Sequence, residues 1–253
     1  MRDASATVNL DRARYKFPAR SPANAYRLAA LGFFRILEEM TAMKRQWWMM
    51  AVATMLSCVA MFGLQAEDAK DGEGWISLFN GKDLTGWKKN EDGKFEVVDG
   101  AIKVSGKRAH LFTEKEFKNF EYKVECKTTK GSNSGLYFHT KFQDQGWPDL
   151  GYEVQVNVTH TDKIKTGSLY SVKNVEEVEV KDDEWYETYV KVVGRHITIK
   201  INGKTTVDWE QPEDYKHPQF AGRKIGSGSF AIQAHDDKSV CYFRNIRVKP
   251  LAD

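Results

Sequence analysis

From residue 75 onward, apolar side chains recur at every second position, which is the period of a β-strand and not of an α-helix. Two hairpin signals interrupt this pattern: Asp99-Gly100 and Asn202-Gly203 each lie between two alternating runs. No amphipathic helical pattern of ten residues or more is found in this part of the chain. The expected strands cover residues 95–98, 101–104, 120–127, 134–140, 152–158, 185–193, 195–201, 205–209, 230–235 and 241–248.

Many strands at short spacing, separated by turn residues, predict an all-β fold: a two-sheet antiparallel β-sandwich. The chain has 253 residues, and the part that follows residue 74 has a suitable size for one such domain. It contains no glycine-rich phosphate loop, no zinc-type cysteine spacing and no nucleophile elbow. The sequence therefore disfavours nucleotide chemistry and serine-hydrolase chemistry.

The first quarter of the chain has the character of a leader. A basic start at residues 43–45 precedes 18 uncharged residues, 47–64, and the small residue Ala66. Together these features predict a signal peptide at residues 43–66. An N-terminal membrane anchor is the alternative, because 18 apolar residues are long enough to cross a bilayer. With cleavage we expect an exported protein, periplasmic or extracellular, without stable membrane insertion.

The leader divides the chain into segments. Residues 1–42 precede a complete leader, so we interpret them as a mis-annotated N-terminal extension, with translation beginning at Met43. Residues 67–73 are polar and are expected to form a linker. Residues 74–251 are expected to form the β-sandwich domain.

Charge is distributed unevenly along the chain. Residues 1–66 hold nine of the 38 Lys and Arg residues and four of the 35 Asp and Glu residues, which leaves 29 basic and 31 acidic groups in the remainder. The β-rich part therefore has no basic excess, and we predict no nucleic-acid partner.

Two cysteines, Cys126 and Cys241, lie in strand-like runs of this part. In an oxidising compartment they could form a disulfide. Two buried thiols are the alternative, because free cysteine packs well in apolar surroundings.

Strand alternation predicts a polar sheet face that lies opposite the core. In residues 152–158 the aromatic and valine side chains share one face, and the acidic and amide side chains share the other. Such groups can hydrogen-bond sugar hydroxyls, and Trp147 and Trp185 could stack on sugar rings. A solvated face without function is the alternative. The expected face collects Tyr137, His139, Glu153, Gln155, Asn157, Gln233 and His235.

Several ordered motifs carry a family resemblance. They are WISLFNGKDLTGW at residues 75–87, NSG at 133–135, GYEVQ at 151–155, GSLY at 167–170, EW at 184–185, QAH at 233–235 and FRNI at 243–246. On these motifs the chain resembles the 3-keto-disaccharide hydrolase family. The resemblance implies a concanavalin A-like jelly roll, similar to laminarinases, and a hydrolase that acts on glycosides whose sugar is oxidised to a ketone at C3.

The polar face suggests a mechanism for such a substrate. A retaining glucanase uses two carboxylates, whereas the row in residues 152–158 holds Glu153 alone, which disfavours double displacement. A 3-keto-glycoside needs only a base at C2, an acid at the leaving oxygen and donors for the enolate. We expect Glu153 to be the base or acid and His235 its partner, with Gln155 and His139 as donors. The remaining substrate-binding candidates are Tyr137, Trp147, Asn157, Trp185 and Gln233.

No cofactor is predicted by these residues, and no metal ligand is assigned. The alternative is a divalent cation held by His139, Glu153 and His235 that polarises the ketone. For the protein as a whole, two further functions stay open besides the hydrolase. One is a non-catalytic carbohydrate-binding module on the cell surface, and the other is a structural or interaction domain. The expected ligand of the hydrolase and of the carbohydrate-binding module is a carbohydrate.

Overall fold

The computed structural model describes residues 74–252, so the predicted segments 1–42, 43–66 and 67–73 lie outside the described residues. The described part forms thirteen β-strands and no α-helix, and hence no helix that could span a membrane. The strands are β1 (Ile76–Ser77), β2 (Trp87–Lys89), β3 (Lys94–Val98), β4 (Ala101–Ser105), β5 (Ala109–Thr113), β6 (Phe120–Thr128), β7 (Asn133–Thr140), β8 (Tyr152–Asn157), β9 (Tyr186–Val193), β10 (His196–Ile201), β11 (Lys204–Glu210), β12 (Ser229–Ala234) and β13 (Cys241–Pro250).

The strands form two antiparallel sheets. The larger sheet has the order β11-β10-β9-β6-β13-β4-β3, with β1 also pairing with β13. The smaller sheet has the order β2-β5-β12-β7-β8. This arrangement confirms the predicted all-β sandwich of two antiparallel sheets.

Both predicted hairpins are confirmed. The β3–β4 turn has positive φ at Asp99 and Gly100, and the β10–β11 turn has positive φ at Asn202 and Gly203. Two consecutive positive φ angles define the type I′ turn, which matches the twist of the flanking strands. Asn, Asp and Gly tolerate this conformation better than other residues.

The core lies between the two sheets. In β6 and β9, buried and half-buried residues alternate, so one face of the larger sheet packs inward and the other is in contact with solvent. The Tyr122 ring of the larger sheet stacks on the Phe230 ring of the smaller sheet, with centroids 4.1 Å apart. Such stacking joins the two layers through apolar contact.

The smaller sheet is buried on both faces. Every residue of β5, β7, β8 and β12 is buried, although half of the side chains point away from the core. Loops therefore cover most of the polar face of the smaller sheet. The alternative from the sequence, a fully solvated face, does not form. A polar face under loops is a place where hydrogen-bonding groups are shielded from water.

The two cysteines of the described part are free, buried thiols. Cys126 lies opposite Phe243, and Cys241 lies opposite Thr128, on the neighbouring strands β6 and β13. Burial raises the pKa of Cys126 to about 12, and it also raises the pKa of Cys241. Of the two alternatives from the sequence, the structure has the buried thiols.

Candidate functional site

The register of the smaller sheet brings polar residues of separate strands side by side. Tyr137 of β7 lies opposite Glu153 of β8, and Gln233 of β12 lies opposite His110 of β5. Because side chains alternate along each strand, these residues share the face that points away from the core. The sheet thus forms the floor of a site from four strands.

Glu153 is the buried acidic group of this floor, with 5% of the residue exposed. Its Oε1 accepts a hydrogen bond from Gln233 Nε2 at 3.2 Å, and its Oε2 lies 3.5 Å from Arg223 Nη2. The Tyr137 hydroxyl also hydrogen-bonds this carboxyl group. Burial raises the pKa of Glu153, and the Arg223 charge and the two hydrogen bonds oppose that rise. The carboxyl group of Glu153 therefore has a raised proton affinity and is surrounded by three hydrogen-bond donors.

Gly135 makes the position of the Glu153 side chain possible. A Cβ atom at residue 135 would lie 2.3 Å from Oε1 of Glu153. The carboxylate therefore lies over the glycine backbone and reaches Gln233 on the far side of β7. This close approach explains the glycine of the NSG motif.

Arg223 enters the site from the loop between β11 and β12, and strand periodicity does not reveal it. Its residue is 5% exposed, and Nη1 donates to Gly151 O at 3.4 Å. The preceding Gly222 touches the opposite loop, because a Cβ there would lie 1.9 Å from Asp149 O. Gly222 on one loop and Gly151 on the other are the sequence signal for this close approach of two loops.

Above the floor is an open groove with a volume of about 810 Å³, within the size range of ligand clefts. In the described part of the chain, Gln233 Oε1 and Arg223 Nε are buried without a hydrogen-bond partner. Unpaired polar atoms of this kind favour a ligand that supplies the missing partner. The groove is lined by Arg108, Tyr137, Gln143, Gln145, Gly146, Trp147, Pro148, Asp149, Glu153, Tyr170, Gln219, Phe220, Ala221, Gly222, Arg223 and Gln233.

Trp147 forms part of the groove wall, and 43% of the residue is exposed. Its loop is attached to the domain, since Gln143 Nε2 donates to Trp147 O and Gly146 N donates to Glu91 Oε2. The indole lies beside His235, with ring centroids 5.4 Å apart. An exposed ring on a held loop is suited to stack on a sugar.

His110 is a further residue of this face that the sequence analysis did not name, since β5 was not predicted. The residue is fully buried, and neither ring nitrogen has a hydrogen-bond partner within residues 74–252. Burial lowers the pKa of His110 to about 3, so the ring is neutral at neutral pH. It packs edge-on against Tyr137 and Trp147.

His235 directly follows β12 and lies next to the groove wall. Its Nδ1 is 2.7 Å from Asp236 Oδ2, and its ring centroid is 5.5 Å from that of His160. His160 comes from the loop after β8 and was not predicted. Gln155 and Asn157 support this end of the site: Gln155 donates to Asn133 Oδ1, and Asn157 donates to loop carbonyls.

His139 corrects the prediction from strand alternation. Its φ is +57°, and the pairing of β7 with β12 shifts register between Ser229 and Ala231, so the alternation does not continue to this residue. Its Nε2 lies 2.7 Å from Lys118 O, and its Nδ1 accepts a hydrogen bond from Gly226 N. Burial lowers the pKa of His139 to about 4. Both ring nitrogens of His139 are hydrogen-bonded to backbone groups, and His139 does not line the groove.

Trp185 is also separate from the groove. Its ring lies 4.0 Å from the guanidinium carbon of Arg244 and 4.9 Å from Lys127 Nζ, at the solvent face of the larger sheet. The reason is its place immediately before β9, a strand of the larger sheet. It contacts cations there and does not contribute to the polar face.

The predicted cation group of His139, Glu153 and His235 is not brought together. Within residues 74–252, the group with metal-like spacing is His160, His235 and Asp236, whose ligand atoms lie within 4.8 Å of one another. Its hydrogen bonds suit a metal poorly, because His160 Nδ1 already accepts a backbone N–H, which leaves the proton on Nε2, and both oxygens of Asp236 already accept hydrogen bonds within the protein. We assign no metal ligand to these residues.

Comparison with known proteins identifies a family for this chain. Residues 74–249 match the family model of the 3-keto-alpha-glucoside-1,2-lyase-like domain. A 3-keto-disaccharide hydrolase of Bacteroides thetaiotaomicron is 24% identical over an alignment of 233 positions that covers 72% of this chain and 80% of that protein.

Two crystal structures of candidate glycosyl hydrolases from Parabacteroides distasonis are similar. The first is 27% identical with a TM-score of 0.63, over 71% of this chain and 95% of that one. The second is 24% identical with a TM-score of 0.55, over 70% and 99%, and it shows the fold alone. Since the family model covers more than half of the chain, this protein belongs to the family of 3-keto-alpha-glucoside-1,2-lyase-like domains.

Proposed function

We propose that this protein cleaves the glycosidic bond of 3-keto-glycosides by elimination followed by hydration. The observation that carries the proposal is the buried Glu153 carboxyl group, held by Arg223, Gln233 and Tyr137 at the floor of an open groove. Family membership and the name of the Bacteroides relative support the class of substrate. Export through the predicted leader belongs to the proposal and rests on the sequence alone.

The acidic residues of the groove favour elimination over double displacement. Glu153 is buried, whereas Asp149, the other acidic residue of the groove wall, is exposed on its loop. Double displacement needs two carboxyl groups that flank one glycosidic bond. One buried carboxyl group beside a guanidinium suits the removal of a proton next to a ketone.

In the elimination, Glu153 takes the C2 proton, which the C3 ketone acidifies. The electron pair forms the C1–C2 double bond, and the C1–O bond to the aglycone breaks. Arg223, whose buried Nε–H has no hydrogen-bond partner within residues 74–252, is placed to donate a hydrogen bond to the enolate oxygen as charge develops there. Burial raises the pKa of Glu153, which makes it a better base than an exposed carboxylate.

In the hydration, water adds to C1 of the enone and C2 regains a proton. The sum is one glycoside and one water converted to a 3-keto sugar and an alcohol. No net oxidation occurs, so the ketone must be present in the substrate before it binds.

The test is incubation of the purified protein with 3-keto-glucosides in D₂O, followed by chromatography and mass spectrometry. Elimination and hydration place one deuterium at C2 of the 3-keto product, whereas direct displacement leaves C2 unlabelled. We expect Glu153→Gln to abolish turnover and Glu96→Gln, an exposed residue of β3, to keep it. Turnover without deuterium at C2, or full turnover by Glu153→Gln, would contradict the mechanism.

A non-catalytic carbohydrate-binding module is the second candidate. The exposed Trp147 ring beside a groove rich in amides favours it. Binding of unoxidised oligosaccharides, without turnover of any 3-keto-glucoside, would support this candidate in place of the enzyme.

A further inference from the structure

Two imidazoles meet beside the groove wall. His160 and His235 have ring centroids 5.5 Å apart, and the Trp147 ring lies 5.4 Å from His235. The two histidines come from different loops, after β8 and after β12. Their hydrogen bonds determine which nitrogen of each ring carries the proton.

In His235, Nδ1 carries the proton. Its partner is Asp236 Oδ2 at 2.7 Å, and Asp236 also accepts hydrogen bonds from Lys238 N, Ser239 N and the Ser239 hydroxyl. Burial opposes ionisation of Asp236, but these hydrogen bonds outweigh it and lower its pKa. An ionised carboxylate can only accept, so His235 Nδ1–H must donate. The atom left to exchange a proton is Nε2.

In His160, Nε2 carries the proton. Its Nδ1 lies 3.1 Å from Asp162 N and 3.4 Å from Asn133 Nδ2, and the backbone N–H of Asp162 can only donate. Nδ1 therefore holds a lone pair, and Nε2–H is a hydrogen-bond donor. Burial is the main cause of a lowered pKa at His160, which is consistent with a neutral ring.

We infer that these histidines form a complementary pair for the proposed reaction: His235 Nε2 transfers protons, His160 Nε2–H donates a fixed hydrogen bond to a substrate oxygen, and Asp236 is a positioning residue that holds His235. The inference rests on the proposed function. It adds His160 and Asp236 to the site, and it specifies the acting atom of His235.

The proton balance closes over one cycle. The cycle begins with Glu153 ionised and His235 protonated. During elimination Glu153 gains the C2 proton, and His235 Nε2 gives its proton to the leaving oxygen. The carboxyl proton of Glu153 then exchanges with water in the open groove. During hydration His235 Nε2 takes a proton from the water that bonds to C1, and Glu153 gives its exchanged proton to C2. Both groups regain their starting states, and His160 remains neutral throughout.

Several charged or titratable groups act on the pair. The carboxylates are Asp236 beside His235, Asp162 on the loop of His160 and Glu153 on β8, and the cation is Lys165. His110 on β5 also interacts with His235. Because Asp236 makes the short contact with His235, its removal should have the largest effect on which ring nitrogen of His235 carries the proton.

The first test reads the tautomers directly. ¹⁵N NMR of the histidine rings in the folded protein should show Nδ1–H with an unprotonated Nε2 for neutral His235, and the opposite pattern for His160. Identical tautomers in the two rings would overturn the inference, whatever the activity of the protein.

The second test uses Asp236→Asn, in which the remaining oxygen can still accept from Lys238 N and Ser239 N. We expect kcat/KM on a 3-keto-glucoside to fall by about 10²-fold or more. The ¹⁵N spectrum of His235 should show the reversed tautomer, because the amide nitrogen of the variant side chain can only donate to Nδ1. The matched control is Asp237→Asn, which should change neither quantity.

The third test separates the role of His160. His160→Gln can present an N–H near the position of Nε2, whereas His160→Ala cannot. We expect Gln to retain at least 10-fold more activity than Ala. Full activity and an unchanged His235 tautomer in Asp236→Asn, beside an inactive Glu153→Gln, would overturn the proposed roles of the two histidines and leave the proposed function standing. Loss of activity in EDTA with recovery on adding a divalent cation would also overturn the pair.

Discussion

Nη2 of Arg223 lies 3.5 Å from Oε2 of Glu153, and both side chains are only 6% exposed. A buried charge next to its opposite is stable only while both partners are present. The loop before β12 thereby supplies the counter-charge for a carboxylate of β8, although 70 residues separate the two in sequence.

Arg223→Met should destabilise the protein in a pH-dependent way. Without the guanidinium, the folded-state pKa of Glu153 rises further above its unfolded value. Stability is then fully present below the unfolded pKa and is lost as pH rises through the folded pKa. We expect a loss of about 3 kcal/mol at pH 8 and a smaller loss at pH 5, measured by urea unfolding. An equal loss of stability at both pH values would show that the Arg223 guanidinium does not affect the ionisation of Glu153.

Gly135→Ala should damage the site more than the fold. The new Cβ would lie 2.3 Å from Glu153 Oε1, so the carboxylate must move away from Gln233. We expect kcat/KM to fall by about 10-fold or more, with the β-sheet circular dichroism spectrum retained. The control is Gly226→Ala, where a Cβ meets no atom within 4 Å. Equal rates for the two variants would show that the carboxylate position is unimportant.

Trp147→Ala should weaken sugar binding. The exposed indole on the groove wall is the ring placed to stack on a sugar, and its loss should raise the Kd by about 10-fold in calorimetry. Trp185→Ala is the matched control, because that ring contacts Arg244 on the larger sheet. A comparable effect of the two substitutions would argue against the groove as the binding site.

His110→Phe should be tolerated at neutral pH and should protect the protein against acid. Both ring nitrogens lack hydrogen-bond partners in the described part of the chain, so an apolar ring removes an unsatisfied group and is expected to stabilise by about 1 kcal/mol. The pKa of His110 is lowered to about 3, so the unfolded chain binds this proton first as pH falls below about 6.5.

The wild-type protein should therefore lose stability between these pH values, and the His110→Phe variant should lose less. Denaturant unfolding at pH 7 and pH 4.5 measures the difference. The same pH dependence in both proteins would show that protonation of His110 does not cause the loss of stability in acid.

Strand period and turn chemistry are local, and they predicted most of the fold. Asp99-Gly100 and Asn202-Gly203 identify their hairpins, because positive φ angles select these residue types. The strand β5 (Ala109–Thr113) was missed because the apolar Phe112 shares the outward face with His110, so polar and apolar residues do not alternate along it.

The candidate site was only partly predictable for the same physical reason. Alternation placed Glu153, Tyr137 and Gln233 on one face, since all three lie within regular strands. It failed at His139, where the backbone turns left-handed. It has no information about loops, which supply Arg223 and His160. A buried carboxylate is stable only beside a cation or other hydrogen-bond donors. The burial of Glu153 is therefore a physical reason to expect an arginine or lysine from a loop near it.

The Gly222 contact with Asp149 O holds the loop of Arg223 against the loop of Trp147. The sheet contributes the carboxyl group of Glu153, and the segment between β11 and β12 contributes the positive charge that opposes the rise of its pKa. Grafting a different segment between β11 and β12 could therefore alter how strongly the acid holds its proton without rebuilding the sandwich beneath. In this architecture, reactivity and scaffold can be engineered as separate parts.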